Sequence, residues 1–112
     1  MTWTEITTMA QWENAYEQSA ARPIVVLKHS TTCPVSANAY QEFSNYLQGE
    51  PRSDVDYYWV KVIESRPISN AIAEATGVKH ESPQVLYIDN KAKVWTASHW
   101  SVTKAHMSAV LD

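Results

Sequence analysis

Ile24-Val25-Val26-Leu27-Lys28-His29-Ser30-Thr31-Thr32-Cys33-Pro34-Val35-Ser36 carries the only cysteine of the chain. Its first five residues form a short, β-branched-rich apolar run of the kind found in strands buried on both faces of a sheet. From Val35 onward, Val35, Ala39, Phe43, Tyr46 and Leu47 fall on one stripe at helical spacing, and Gly49 with Pro51 marks the stop. Cys33 therefore stands where a strand gives way to a helix. That position favours the thiolate, the nucleophilic form of cysteine, through unpaired first-turn amides and the positive end of the helix dipole. A C-x-x-C motif would place a second cysteine three residues on. Ser36 stands there instead, with a hydroxyl that can hydrogen-bond but cannot close a disulfide.

Upstream, Met9, Trp12, Tyr16 and Ala20 recur at three- and four-residue steps, and Thr8 followed by Gln11 resembles a capping box, so residues 8–20 read as a helix that Arg22-Pro23 ends. Downstream, the aromatic and β-branched run Tyr57–Ile63 reads as a strand parallel to the first after a right-handed crossover. Pro67 suits a first helical turn, Ile68, Ala71, Ile72 and Ala75 form a stripe, and Gly77 fits the left-handed position that closes a helix over 67–76. Gln84–Ile88 and Lys93–Ala97, joined by the turn-prone Asp89-Asn90-Lys91, predict an antiparallel hairpin. A last helix is expected from about Thr103 to Leu111. The expectation is a single α/β domain over residues 1–112, with a central four-stranded mixed sheet flanked by helices.

Composition narrows the function. Of 112 residues, 45% are hydrophobic and 19% charged, with five Trp and six Tyr, which is the make-up of a packed globular domain. Nine basic and twelve acidic side chains leave a net charge of −3 with no block of like charge, against a nucleic-acid partner held through phosphates. No apolar stretch reaches the roughly 20 residues that span a bilayer, and Met1-Thr2-Trp3-Thr4-Glu5 lacks the features of a signal peptide. No membrane association is expected, and a single unpaired cysteine agrees with a reducing compartment, so the expected location is the cytoplasm. His29, His80, His99 and His106 show no ligand spacing, so no metal is expected. A monomer is the expected state.

The order βαβ, helix, β-hairpin, helix, with a cysteine at the first strand-to-helix junction and Ser82-Pro83 just ahead of the third strand, resembles the thioredoxin fold. The resemblance implies a cis proline at Pro83, facing Cys33. More closely, Lys28–Ser36 together with Gly77-Val78-Lys79-His80-Glu81-Ser82-Pro83-Gln84 resembles the YtxJ-like family of monothiol bacilliredoxins, whose usual T-C-P-I-S carries Val35 here. Thioredoxins themselves resemble one another in a second cysteine and in a buried acid six residues before the first; Ser36 and Leu27 occupy those places. What the resemblance implies is a cytosolic enzyme that removes bacillithiol from S-bacillithiolated proteins, with bacillithiol as co-substrate and no bound cofactor. Cys33 would be the nucleophile and Ser36 a neighbour whose hydroxyl or amide reaches the thiolate. Thr32, Pro34, Ser82 and Pro83 would line the substrate, the Ser82 backbone offering a short edge for an extended adduct or peptide.

Other chemistries use one cysteine. A thiol peroxidase would pass through a sulfenic acid, but no arginine lies near the motif to polarise a peroxide. A non-enzymatic redox sensor or thioredoxin-like binding module is a second alternative, and iron–sulfur carriage of the C-G-F-S type a third, which Pro34 and Val35 do not match. Glu64 and Asp89 lack the paired group that hydrolytic acid–base catalysis needs. A protonated His29 would favour the thiolate, although a solvated or capping histidine is the plainer reading; Lys61 is read as snorkelling to the surface, and Trp100 as core or rim.

Overall fold

A computed structural model describes residues 3–49 and 51–111, which form five strands and four helices. The elements are β1 (Thr4–Glu5), α1 (Met9–Gln18), β2 (Ile24–His29), α2 (Pro34–Gln48), β3 (Asp56–Lys61), α3 (Arg66–Thr76), β4 (Gln84–Asp89), β5 (Ala92–Ser98), a 3₁₀ turn (His99–Ser101) and α4 (Lys104–Leu111). The sheet runs β1-β3-β2-β4-β5, with β1, β3 and β2 parallel and β4 and β5 antiparallel to their neighbours. The fold is the thioredoxin-like α/β arrangement, with one correction: the sheet has five strands rather than four. The added β1 pairs Thr4 with Tyr58 and Glu5 with Trp59. Two residues are too short to show alternation, so no periodicity announces this strand.

Local signals explain the element ends. Thr8 caps α1 through the reciprocal pair, its Oγ1 accepting from the Gln11 amide at 3.2 Å while Gln11 Oε1 accepts from the Thr8 amide at 3.0 Å. Gly77 closes α3 at φ 70°, a left-handed backbone that a side chain resists. β3 stops at Lys61 rather than running to Ile63, because the chain folds back at once, the Ser65 amide donating to the Lys61 carbonyl at 2.9 Å.

Every residue of β2 is buried. Val25 and Leu27 face Phe43, Tyr46 and Leu47 of α2 and Met107 and Leu111 of α4, whereas Ile24 and Val26 face Trp12 and Ala15 of α1 and Ile68 and Ile72 of α3. Alternation along the strand carries Lys28 onto the α1/α3 side and His29 onto the α2/α4 side, both inside the sheet's ends. No helix is long and apolar enough to cross a membrane among the described residues.

Candidate active site

Cys33 is the N-cap of α2, with extended backbone at φ −108°, and its side chain is partly exposed. Its own amide donates to the Ser30 carbonyl at 3.3 Å, and its carbonyl accepts the first helical bond from Ala37 at 3.0 Å. Pro34 begins the helix without an N–H to lose, so the amides of the first turn that remain belong to Val35 and Ser36. The thiol carries no capping bond and stays available for chemistry.

Ser36 is fully buried one turn on. Its hydroxyl accepts from the Ser30 amide at 2.7 Å and lies 2.9 Å from His29 Nδ1. The side chain is thereby fastened to the end of β2, while its amide remains in the turn beside the cysteine. His29 is 8% exposed, packed against Tyr40 and Trp59 at ring separations of 4.9 and 6.1 Å. Burial pushes its pKa below the usual imidazole range, opposed by hydrogen bonding to the Ser36 backbone and by the charge of Glu64 and assisted by Lys61. The ring is therefore neutral near pH 7, and one proton bridges it to the serine. Of the solvated or capping histidine of the sequence reading, the solvated form gives way to a buried ring hydrogen-bonded to Ser36 in the first turn of α2, because β2 stays enclosed to its last residue. Lys61 lies 3.7 Å from Glu5 and over the Trp59 ring, so it is engaged by neighbours rather than simply solvated.

Thr32 is exposed, with its hydroxyl 3.3 Å from that of Ser30. Thr31 donates to Glu64 at 3.3 Å, tying the cysteine loop to the segment that follows β3. Across the sheet, Ser82-Pro83 is a cis peptide bond. Lys28 pairs with Gln84, so the next step of the antiparallel ladder brings Pro83 to the level of His29, at the edge from which the Cys33 loop departs. The Pro83 carbonyl accepts from the His99 amide at 2.9 Å. Ser82 Oγ is buried and has no hydrogen-bond partner among the described residues. Thr32, Cys33, Pro34 and Ser36 thus reach the same end of the sheet as Ser82 and Pro83.

One residue was not singled out from sequence, and another is more exposed than its reading suggested. Lys28 is 0% exposed and its ammonium meets His80. The signal existed, since a strand read as buried on both faces encloses its lysine too. Trp100, read as core or rim, is 65% exposed in the turn after β5, whose first residue, His99, takes a left-handed φ of 54°.

Residues 4–107 match the family model described as Monothiol bacilliredoxin BrxC. Among solved structures, one described as a candidate oxidoreductase with a thioredoxin fold is 37% identical, with a TM-score of 0.82, the alignment covering 95% of this chain and 90% of that one. The Malassezia sympodialis thioredoxin Mala s 13 is 15% identical with a TM-score of 0.79, covering 98% and 88% of the two chains. Mitochondrial thioredoxin 3 of Saccharomyces cerevisiae is 14% identical with a TM-score of 0.73, covering 97% and 92%. The last two are likenesses of fold alone.

Proposed function

The chain belongs to the monothiol bacilliredoxin family, and from that premise we propose that it is a cytoplasmic thiol–disulfide oxidoreductase that removes bacillithiol from S-bacillithiolated proteins. The Cys33 thiolate attacks the bacillithiol sulfur of the client mixed disulfide; the S–S bond breaks, and the electron pair leaves on the client sulfur, which takes a proton from solvent. Cys33 is then joined to bacillithiol. A second bacillithiol thiolate attacks that sulfur, releasing the Cys33 thiolate and oxidised bacillithiol. The cycle needs no bound cofactor, no metal and no resolving cysteine, and a monomer suffices for it.

The observation that carries this reading is a lone, partly exposed cysteine at a helix start, free of capping duty, with Ser36 where a dithiol enzyme would hold its second sulfur. Pro34 and the following amides shape the thiolate's surroundings, and Ser36 braces that turn against β2. Thr32 and Pro34 on one side and Ser82-Pro83 on the other form the substrate-binding rim. The unpartnered Ser82 hydroxyl supports a group there that waits for a ligand, since a buried hydroxyl without a partner costs about 1–3 kcal/mol. The test is turnover: with bacillithiol and a bacillithiol-disulfide reductase present, wild type should restore the thiol of a bacillithiolated client and Cys33→Ser should not. Equal rates for the two proteins would remove Cys33 from the mechanism.

A further inference from the structure

Between α3 and β4 the chain has no regular structure, and this segment delivers Ser82-Pro83 to the site. Four side chains hold it. Gln84 Nε2 donates to the Lys79 carbonyl at 3.0 Å, Ser98 Oγ donates to Glu81 Oε2 at 2.7 Å, and Lys28 Nζ lies 3.2 Å from His80 Nδ1. Ser69 Oγ of α3 lies 3.3 Å from the same ring nitrogen.

The lysine is the anomaly among the four. Its neighbours on the same sheet face, Ile24 and Val26, are apolar. Enclosing an ammonium in a sheet is expensive unless a hydrogen-bonding partner compensates. The partner here is a single side chain from the segment that presents the cis proline. An ammonium can only donate, so His80 accepts at Nδ1 and carries its own proton on Nε2.

We propose that Lys28 and His80 are a positioning pair for the substrate rim, fastening the Val78–Pro83 segment to the strand that also leads into Cys33. The idea rests on the function proposed above. Its physical content is that one rigid strand fixes both halves of the site: β2 runs into the cysteine turn at one end and, through Lys28, holds the opposing Ser-Pro edge. Neither residue touches the reacting sulfurs.

Protonation of Nδ1 would dissolve the pair. It would set His80 against Lys28 from β2 and Arg66 from α3, with Glu81 of its own segment alone opposing. Burial first, then those two cations, already hold His80 below the usual imidazole range. Acid therefore removes the Lys28 contact and loosens the segment at His80, while Ser69 Oγ remains able to accept from the protonated ring.

The test uses the exposed member of the pair, so that folding is preserved. His80→Ala should raise the KM for a bacillithiolated client about tenfold, the equivalent of about 1.4 kcal/mol, and speed amide exchange over residues 79–82. The rate of Cys33 alkylation by iodoacetamide, which needs no rim, should stay at the wild-type value. His80→Asn places an amide oxygen, which does not titrate, where Nδ1 accepts. It should keep the wild-type KM near pH 7.5 and abolish the rise in KM expected of wild type as the pH falls below the usual imidazole range. An unchanged KM in His80→Ala, with or without faster exchange, overturns the proposal, as does an acid rise that survives in His80→Asn. Should wild type fail to act on bacillithiolated clients at all, the functional reading falls, and amide exchange in His80→Ala alone then decides whether the pair holds the segment.

Discussion

Ser36 Oγ lies 2.9 Å from His29 Nδ1, and with the Ser30 amide at 2.7 Å it locks the first turn of α2 to the last residues of β2. Ser36, three residues after Cys33, is thus a structural clamp on the cysteine's turn.

Ser36→Ala leaves a buried amide and a buried ring nitrogen without their partner, at about 1–3 kcal/mol for each unpaired group. Urea unfolding should show a loss of about 2–6 kcal/mol overall, while Cys33 stays open to alkylation because the Val35 and Ser36 amides survive. Undiminished stability with abolished alkylation would show instead that the hydroxyl acts on the sulfur.

Lys28 is held at about 8 by burial, against 10.5 for the free side chain. Between those values the unfolded chain binds the proton that the folded one has lost, so stability rises with pH across the window. Lys28→Met removes this dependence and the buried ammonium with it. The variant should be the more stable protein at pH 7, and its advantage should shrink as pH climbs past 8 toward 10. Urea midpoints measured at pH 7 and about 9.5 check this, and a gap that stays constant would place the lysine in water rather than in the sheet.

Gly77 has a φ of 70° and open space around its missing side chain. Gly77→Ala should therefore cost only the conformational penalty, about 1 kcal/mol, with no loss of activity. A much larger loss of melting temperature than that corresponds to would mean a steric cause.

Much of this architecture was legible in the residues. The stripe Val35-Ala39-Phe43-Leu47, the Thr8–Gln11 box and the Asp89-Asn90-Lys91 turn each carry a local physical signal, and each forms the element it predicts. β1 carries none, because its pairing with β3 is a tertiary event between two residues and a strand far along the chain. The cysteine's place followed from local pattern, and the cis bond at Pro83 from resemblance. The surroundings of the site did not. His29 is a polar residue at the strand's end whose burial depends on how far the helices cover β2, and nothing within a window of sequence reports that, whereas the burial of Lys28 was signalled only by the apolar run around it. The exposure of Trp100 depends likewise on the left-handed turn at His99, which no glycine announces.

The central claim, that one sulfur exchanges partners with bacillithiol, is tested most directly by intact mass. Wild-type protein is exposed to oxidised bacillithiol, oxidised glutathione and oxidised coenzyme A in parallel. We predict one bacillithiol adduct, mapped to Cys33, formed faster than the other two adducts and absent in Cys33→Ser. No bacillithiol adduct, or one formed no faster than with glutathione, would contradict the account.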